Sequence, residues 1–296
     1  QSEERFLVRI EDTDTERNIE GKDQEILTLL EFFGIRHDQL IYQSEHRHFH
    51  QQLAQKLLDE GRAFLCDCSE EMLEQERERA KREGRPYRYS GRCLERSVDS
   101  SSGAVVRIRP PQSPILFEDR IKGELRFEPK DVDAFVILRA DGSPTYNFAC
   151  ALDDMLHDIS LVVRGEDHVS NTPKQMHIRA QLGYDKSMGY AHLPIILNDA
   201  GKKMSKRDDA SSVKWLLEQG FLPQAIVNYL LLLGNKTPTE VFVLEEAVEW
   251  FEVGAISKAP ARFDLDMLRY LNRAHLKVLE DEQLALMLGF KGGAFG

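Results

Sequence analysis

Leu161-Val162-Val163-Arg164-Gly165-Glu166-Asp167-His168, together with the helix and strand on its C-terminal side, decides the fold class. Leu161–Val163 is a short apolar strand that breaks into charge at Arg164. Pro173–Leu182 then reads as a helix, with Thr172 as cap, Pro173 at the first helical position and Gln175 completing a capping box. His192–Leu197 is a second apolar strand, opening into Asp199-Ala200-Gly201-Lys202-Lys203-Met204-Ser205-Lys206-Arg207-Asp208-Asp209. Strand, helix, strand at this spacing is the repeating unit of a parallel α/β sheet. Ligands of such sheets lie beyond the carboxyl ends of the strands, and both strand ends here are charged. Arg164 can hold a carboxylate through two parallel N–H donors; Gly165 permits close approach of a ligand. Gly201 permits a tight turn, and the lysines around Ser205 can close ammonium groups on a polyphosphate. Taken singly, each is also what a surface ion-pair turn or a solvated basic loop looks like.

The same pattern appears at the start of the chain. Arg5–Ile10 reads as a buried strand ending in Glu11-Asp12-Thr13-Asp14, where a polar strand cap is the plain alternative to a site. Gly21 to Phe33 has helical spacing of Ile26, Leu27, Leu29, Leu30 and Phe33, with Gly34 as stop. A second helix is expected from Glu45 to Glu60, with Ser44 as N-cap and Gly61 beyond its end. Ala63–Cys66 is a strand. This is one half of a doubly wound sheet.

Composition changes after Cys66. Glu70–Glu83 is a charged helix, Ser97–Gly103 a Ser-rich loop, and Ala104–Arg109, Ile115–Glu118 and Gly123–Phe127 are short strands broken by prolines. Ala134–Arg139 and Thr145–Leu152 are expected as strands joined at Asp141-Gly142, with Cys150 a small core residue of the second. From Ser211 the chain reads as helices only: Val213–Gln219, Pro223–Leu233, Leu244–Phe251, Asp266–Leu276 and Asp281–Leu288. The expected fold is therefore α/β. It has a Rossmann-like doubly wound parallel sheet (residues 1–65 and 141–209), an inserted α+β domain (66–140) and a C-terminal all-helical domain (210–296).

Bulk properties exclude several classes. Apolar residues make up 42% and charged residues 30%, as in soluble globular proteins. No apolar run approaches a membrane span, and no basic-then-apolar leader opens the chain. Four cysteines do not make a disulfide scaffold, so a reducing cytoplasm is expected. A net charge of −11 argues against indiscriminate nucleic-acid binding, while leaving room for a local surface fitted to one RNA.

Two further clusters attract notice. Cys66-x-Cys68 and Cys93 can face one ion, with Tyr89, four residues before Cys93, as candidate fourth ligand; sulfur-rich tetrahedral sites suit zinc. Three reduced cysteines without a metal are the alternative, because tyrosine is an unusual ligand. His46, His48 and His50 lie two apart on an expected helix, so they point in different directions and read as a solvated face.

Lys203-Met204-Ser205-Lys206-Arg207 resembles the KMSKS signature of class I aminoacyl-tRNA synthetases, and it follows a strand. Val8-Arg9-Ile10-Glu11-Asp12-Thr13-Asp14, Asp141-Gly142-Ser143-Pro144-Thr145-Tyr146-Asn147-Phe148, and Val163-Arg164-Gly165-Glu166-Asp167-His168 with Asn171-Thr172-Pro173 join it. So do Gly220-Phe221-Leu222-Pro223-Gln224-Ala225 and Phe263-Asp264-Leu265. In this order the motifs resemble the bacterial-type glutamyl-tRNA synthetase family over nearly the whole chain. The resemblance implies ATP-dependent attachment of L-glutamate to tRNA through glutamyl-adenylate. It implies Glu11, Tyr146 and Arg164 on glutamate, and Lys203, Ser205, Lys206 and Glu166 at ATP, with Lys203 and Lys206 catalytic. ATP would come with Mg2+. Structural Zn2+ on Cys66, Cys68, Tyr89 and Cys93 would staple an acceptor-binding insert, and the helical segment would contact the tRNA stem. The expected partners are tRNA-Glu, with tRNA-Gln left open, for a cytoplasmic monomer without membrane association. The family's His-Ile-Gly-His-like segment and anticodon-binding domain are not in this sequence, which is expected to be part of a longer protein. Glu95 and Cys150 stand where some relatives carry a histidine and a polar pocket residue. A tRNA-modifying glutamyl-Q synthetase paralogue and a non-catalytic RNA-binding module are the other readings; the intact lysine loop favours the synthetase.

Overall fold

A computed structural model describes residues 5–13, 21–99, 103–205, 208 and 212–280. Lys206, Arg207, Asp14 and the expected Asp281–Leu288 helix lie outside the described residues. The first stretch runs β1 (Leu7–Ile10), α1 (Lys22–Phe32), β2 (Gln39–Tyr42), a 3-10 turn (Gln43–His46), α2 (Arg47–Asp59), β3 (Ala63–Cys66) and α3 (Glu70–Arg82). Next come β4 (Val105–Ile108), β5 (Ile115–Asp119), β6 (Gly123–Phe127), β7 (Val136–Leu138), α4 (Tyr146–Leu156), β8 (Leu161–Gly165), α5 (Thr172–Gln181) and β9 (Gly189–Leu193). The chain continues through β10 (Ile196–Leu197), α6 (Val213–Glu218), α7 (Pro223–Leu232), α8 (Leu244–Trp250), β11 (Ala261–Arg262) and α9 (Leu265–Leu276). It divides into two compact units: Gln1–Asp23 with Arg36–Val162 and His168–Tyr190, and Gln24–Ile35 with Val163–Asp167 and Ala191–Gly296.

In the first unit β1 and β2 pair in parallel from Leu7↔Gln39 to Ile10↔Tyr42. β5 pairs in parallel with β9 at Asp119↔Tyr190, and antiparallel with β6. The α/β class with parallel pairing is as expected. β3 departs from the expectation that it joins the parallel sheet: it runs antiparallel to β4, which runs antiparallel to β7. The core of this unit gathers Ala54 and Leu57 of α2, Ile108 of β4, Ile137 of β7, Phe148, Ala151 and Leu152 of α4 and Ile178 of α5, all at 0% exposure. Burial on this scale, at about 25 cal/mol per Å² of apolar surface, holds the helices to the sheet.

Thr145–Leu152 is the main correction to the sequence reading. The turn at Asp141-Gly142 forms, with Leu138 bridging Pro144 and Arg139 N donating to Ser143 O at 2.9 Å. Pro144 has no N–H to extend the ladder, and the chain winds into α4 behind Thr145 in an extended conformation. Residues Phe148–Asp154 are all buried, so no polar face betrays the helical period, and a short apolar run of this length reads equally as a strand. Cys150 is therefore a helical residue.

Helix ends differ too. Ser44 lies in the 3-10 turn, where its N and Oγ donate to Asp12 at 2.8 and 2.6 Å, and α2 begins at Arg47. Thr172 is inside α5, whose N-cap Asn171 makes no side-chain capping bond; Gln175 donates to Asn147 Oδ1 instead of closing a capping box.

In the second unit the apolar run expected as one strand is split at Pro194 into β9 and β10. β10 pairs in parallel with β11, a two-residue strand in the segment read as helices only. Leu216, Phe221, Ile226, Tyr229, Phe263, Leu268 and Leu271 form this unit's core, with Ile196 and Met204 packed against it. The strand that carries the lysine loop thus shares a core with α6, α7 and α9. Asp264 caps α9 by accepting from Asp266 N and Met267 N.

Candidate functional site

The second unit collects the charged end of β8 and the lysine loop. Arg164 Nε donates to Nε2 of His192 at 3.2 Å, and His192 is fully buried on β9. An accepting Nε2 requires the neutral ring with its proton on Nδ1. A buried neutral acceptor thereby holds one edge of the cationic fork at the strand end. Glu166 Oε1 accepts from Ile195 N at 3.0 Å and holds the break between β9 and β10. Lys203 Nζ reaches Asp167 Oδ2 at 2.9 Å, both side chains more than half exposed. A pair this exposed contributes at most about 1 kcal/mol, so the ammonium is readily released to a stronger anion. A Cβ on Gly165 would come within 2.7 Å of Asp167 Oδ1, so any larger residue there would displace the carboxylate that pairs with Lys203.

The loop itself is a short hairpin. Asn198 N donates to Lys202 O and Met204 N to Ile196 O, both at 2.8 Å, around Gly201 at φ 71°. Asp208 closes it further on: Oδ2 accepts from Ser205 N at 2.8 Å and from Ser205 Oγ, and Oδ1 accepts from Asn198 Nδ2. These bonds hold the Asp208 carboxyl below its usual range, the Ser205 N–H foremost. Lys206, expected in the same loop, lies outside the described residues.

The first unit places Glu11 just beyond β1. Its Oε1 accepts from Cys150 Sγ at 3.2 Å and from Arg9 Nη2 at 3.4 Å. Burial pushes the Cys150 thiol well above its usual range and the Glu11 charge adds to this, so Cys150 remains the protonated donor. Arg9 also bonds Asp154 Oδ1 at 2.7 Å. Tyr146 opens α4, and its hydroxyl lies 3.2 Å from His168 Nδ1. Asn171 Nδ2 meets the same nitrogen at 3.2 Å, and Asn171 Oδ1 accepts from Asn147. The structure thus places Arg164, Glu166, Lys203 and Ser205 in one unit and Glu11 and Tyr146 in the other.

The cysteine cluster forms as the spacing predicts. Sγ of Cys66, Cys68 and Cys93 all lie within 4.8 Å of one another. Tyr89 Oη is 3.4 Å from Cys66 Sγ and 3.7 Å from Cys68 Sγ, and it accepts from Cys93 N at 3.0 Å. The Arg107 guanidinium stacks 4.0 Å from the Tyr89 ring centre. Burial pushes the Cys68 thiol up to about 12. Three thiols and a phenol so disposed are a donor set that a thiophilic dication fits.

The family called tRNA synthetases class I (E and Q), catalytic domain, matches residues 1–270. The chain belongs to that family. Among its relatives, glutamate–tRNA ligase 1 of a Nitratiruptor species is 64% identical over 98% of this chain and 68% of its own length. Glutamate–tRNA ligase 2 of Wolinella succinogenes is 60% identical over 99% of this chain and 67% of its own. A crystal structure of a glutamate tRNA ligase from Elizabethkingia meningosepticum, in complex with its amino acid, superposes with a TM-score of 0.86 at 26% identity. That match covers 98% of this chain and 68% of the other.

For this synthetase domain the sequence reading missed two groups. His192 carries no motif of its own; only its place opposite Arg164 on the neighbouring strand gives it a role. The histidine reading is corrected as well. His48 is exposed and pairs with Gln52, but His46 and His50 both turn to Asp153, at 3.1 and 2.7 Å. The relevant spacing was four, not two: residues i and i+4 share a helical face. His50 is fully buried rather than solvated. Among the described residues no helix is long and apolar enough to cross a membrane.

Proposed function

We propose that the chain catalyses ATP-dependent attachment of L-glutamate to tRNA. The observation that carries this reading is the oriented Arg164 fork beside the lysine hairpin, in a chain whose relatives are named glutamate–tRNA ligases. An α-carboxylate oxygen of glutamate attacks the α-phosphorus of ATP. The bond to the bridging oxygen breaks, and pyrophosphate leaves with its electron pair. A terminal ribose hydroxyl of tRNA then attacks the acyl carbon, its proton is lost, and AMP departs.

Each residue has a physical part in these steps. Arg164 binds the side-chain carboxylate with its Nη donors while His192 fixes Nε. Glu11 is an acceptor for the substrate ammonium, and Cys150 and Arg9 hold its carboxylate in place. Tyr146 is read as a further contact to glutamate. Lys203 leaves Asp167 to neutralise the polyphosphate, joined by Lys206, where negative charge grows as pyrophosphate departs. Ser205 offers its hydroxyl at the ATP site, and Glu166 shapes that strand end through Ile195. ATP arrives as its Mg2+ complex, which screens the phosphates. Cys66, Cys68, Cys93 and Tyr89 would hold a structural Zn2+ that braces residues 66–140, read as the acceptor-end grip. Residues 210–296 are read as the stem-contact helices, and residues 1–65 and 141–209 as the doubly wound catalytic part. We place the enzyme in the cytoplasm as a monomer acting on tRNA-Glu.

The test is ATP–pyrophosphate exchange by the full-length protein with each amino acid, with tRNA present. Exchange driven by glutamate and not by glutamine is expected. Exchange driven by a different amino acid, or none with any, overturns the reading.

A further inference from the structure

We propose that His46, His50 and Asp153, with His157 beside them, form a second divalent-cation site, of the zinc class, distinct from the cysteine cluster. The site is made of two facing pairs at helical spacing. His46 ends the 3-10 turn and His50 lies one turn further, in α2. Asp153 lies in α4, and His157 follows one turn later as the residue that ends it. Two such i, i+4 pairs, one from each of two elements, converge side chains on one point without distorting either backbone.

The geometry is close and dry. One ring nitrogen each of His46 and His50 and a carboxylate oxygen of Asp153 all lie within 4.8 Å of one another, and His46 Nδ1 and His50 Nε2 are 3.1 and 2.7 Å from Asp153 Oδ1. His50 and Asp153 have fully buried side chains, and His46 is 20% exposed, which leaves an entry path on one side. The His157 ring centre is 5.2 Å from that of His46. Its Nε2 is buried and has no hydrogen-bond partner among the described residues, so a fourth donor stands beside the set. Imidazole nitrogen with a single carboxylate is the donor chemistry of zinc, cobalt or nickel, whereas magnesium and calcium ask for oxygen throughout.

The second carboxylate oxygen is already oriented, as ligating carboxylates require. Asp153 Oδ2 accepts from Gln43 Nε2 at 2.8 Å, and Gln43 is fully buried. Gln43 Nε2 lies 4.0 Å from Cys150 Sγ, and Cys150 donates to Glu11. A bound ion therefore braces the layer directly behind Glu11. It makes no contact with the thiols of Cys66, Cys68 and Cys93, whose liganding is a separate matter.

Cobalt(II) separates the two sites by spectrum. The full chain, stripped of metal by a chelator and titrated with Co(II), is expected to take up about two equivalents. One brings the near-ultraviolet thiolate-to-metal absorption of the cysteine set. The other brings only visible bands of nitrogen and oxygen ligation. In His46→Ala/His157→Ala the second is lost at micromolar Co(II) and the thiolate absorption stays. A titration that ends with the thiolate-bound equivalent, or a second equivalent unchanged in the double variant, overturns the proposal. Should the variant fail to fold, anomalous scattering at the zinc edge from wild-type crystals decides independently. A peak ringed by His46, His50 and Asp153 supports the site, and density confined to the cysteines refutes it.

Discussion

Replacing Arg164 by Gln removes the cation and leaves a shorter polar side chain. In the structure the guanidinium Nε donates to His192 Nε2 at 3.2 Å. The two contributions can therefore be separated. The contact to substrate is charge-assisted, worth about 1.5–3 kcal/mol, which is roughly a 10- to 150-fold loss in kcat/KM for glutamate. The contact to His192 joins a cationic N–H to a neutral acceptor and orients the fork without touching substrate, so His192→Phe should sit at the low end of the same range, about 1.5 kcal/mol or roughly tenfold. Arg164→Lys should fall between, since an ammonium keeps the charge but cannot meet His192 and grip a carboxylate in the same plane. Glutamine is a near-isostere of glutamate and has one acceptor oxygen, so preference for glutamate should shrink in Arg164→Gln by the same factor. KM for ATP should hardly move. The assay is ATP–pyrophosphate exchange in the presence of tRNA, with both amino acids and all three variants. Undiminished discrimination in Arg164→Gln refutes the reasoning, as does a larger loss in His192→Phe than in Arg164→Gln.

Three further outcomes are expected. Lys203→Ala should cut exchange by about a hundredfold, yet leave urea stability nearly unchanged, because its pair with Asp167 is exposed; a melting change without a rate change would put Lys203 in a structural role. Elemental analysis should find one zinc equivalent fewer in Cys93→Ser than in the wild type, with a lowered Tm, and Tyr89→Phe should weaken retention of that equivalent; full retention there would make the fourth ligand something other than Tyr89. His177 is buried with Nε2 donating to Arg109 O at 2.7 Å, and burial holds its pKa below the usual histidine value, as it does for buried His275. The unfolded chain therefore takes up protons first as pH falls through about 6.5, so stability should decline from there downward and not above it; His177→Gln should flatten that decline in urea titrations across the range.

Much of this was legible in the sequence where local signals and chemistry agree. β3, β6 and α3 have caps, glycines or prolines at their ends, and their bounds follow. The cysteine cluster follows from spacing because a Cys-x-Cys pair confines two sulfurs to a small volume. Long-range pairing was not legible. Nothing in Ala63–Cys66 says that it runs against β4 rather than beside β1, and nothing in Ala261-Arg262 says that two residues pair with β10. Side-chain partners set by tertiary contact were equally hidden: Asp12 bonds Ser44 across 32 positions, and His192 meets Arg164 across 28.

The misread segment matters more for function than its length suggests. As a strand, Thr145–Leu152 would put Tyr146, Phe148, Cys150 and Leu152 on one face, a mixture of site and core. As helix α4, it puts Tyr146, Cys150, Asp153, Asp154 and His157 at spacings of four, three, one and three, along one side of a buried rod. Four of these residues are hydrogen-bonded, Tyr146 with His168, Cys150 to Glu11, Asp154 with Arg9, and Asp153 with Gln43 and the two histidines, while His157 packs its ring against His46. Polar groups this deep cost free energy unless each is satisfied, so the stripe fixes the register of α4 against β1 and the turn at 43–46. Phe148, Ala151 and Leu152 point into the apolar core and anchor the other side. One helix thus carries the packing that holds the unit together and the line of donors and acceptors that leads from the substrate carboxylate contact at Glu11 to the histidine cluster behind it.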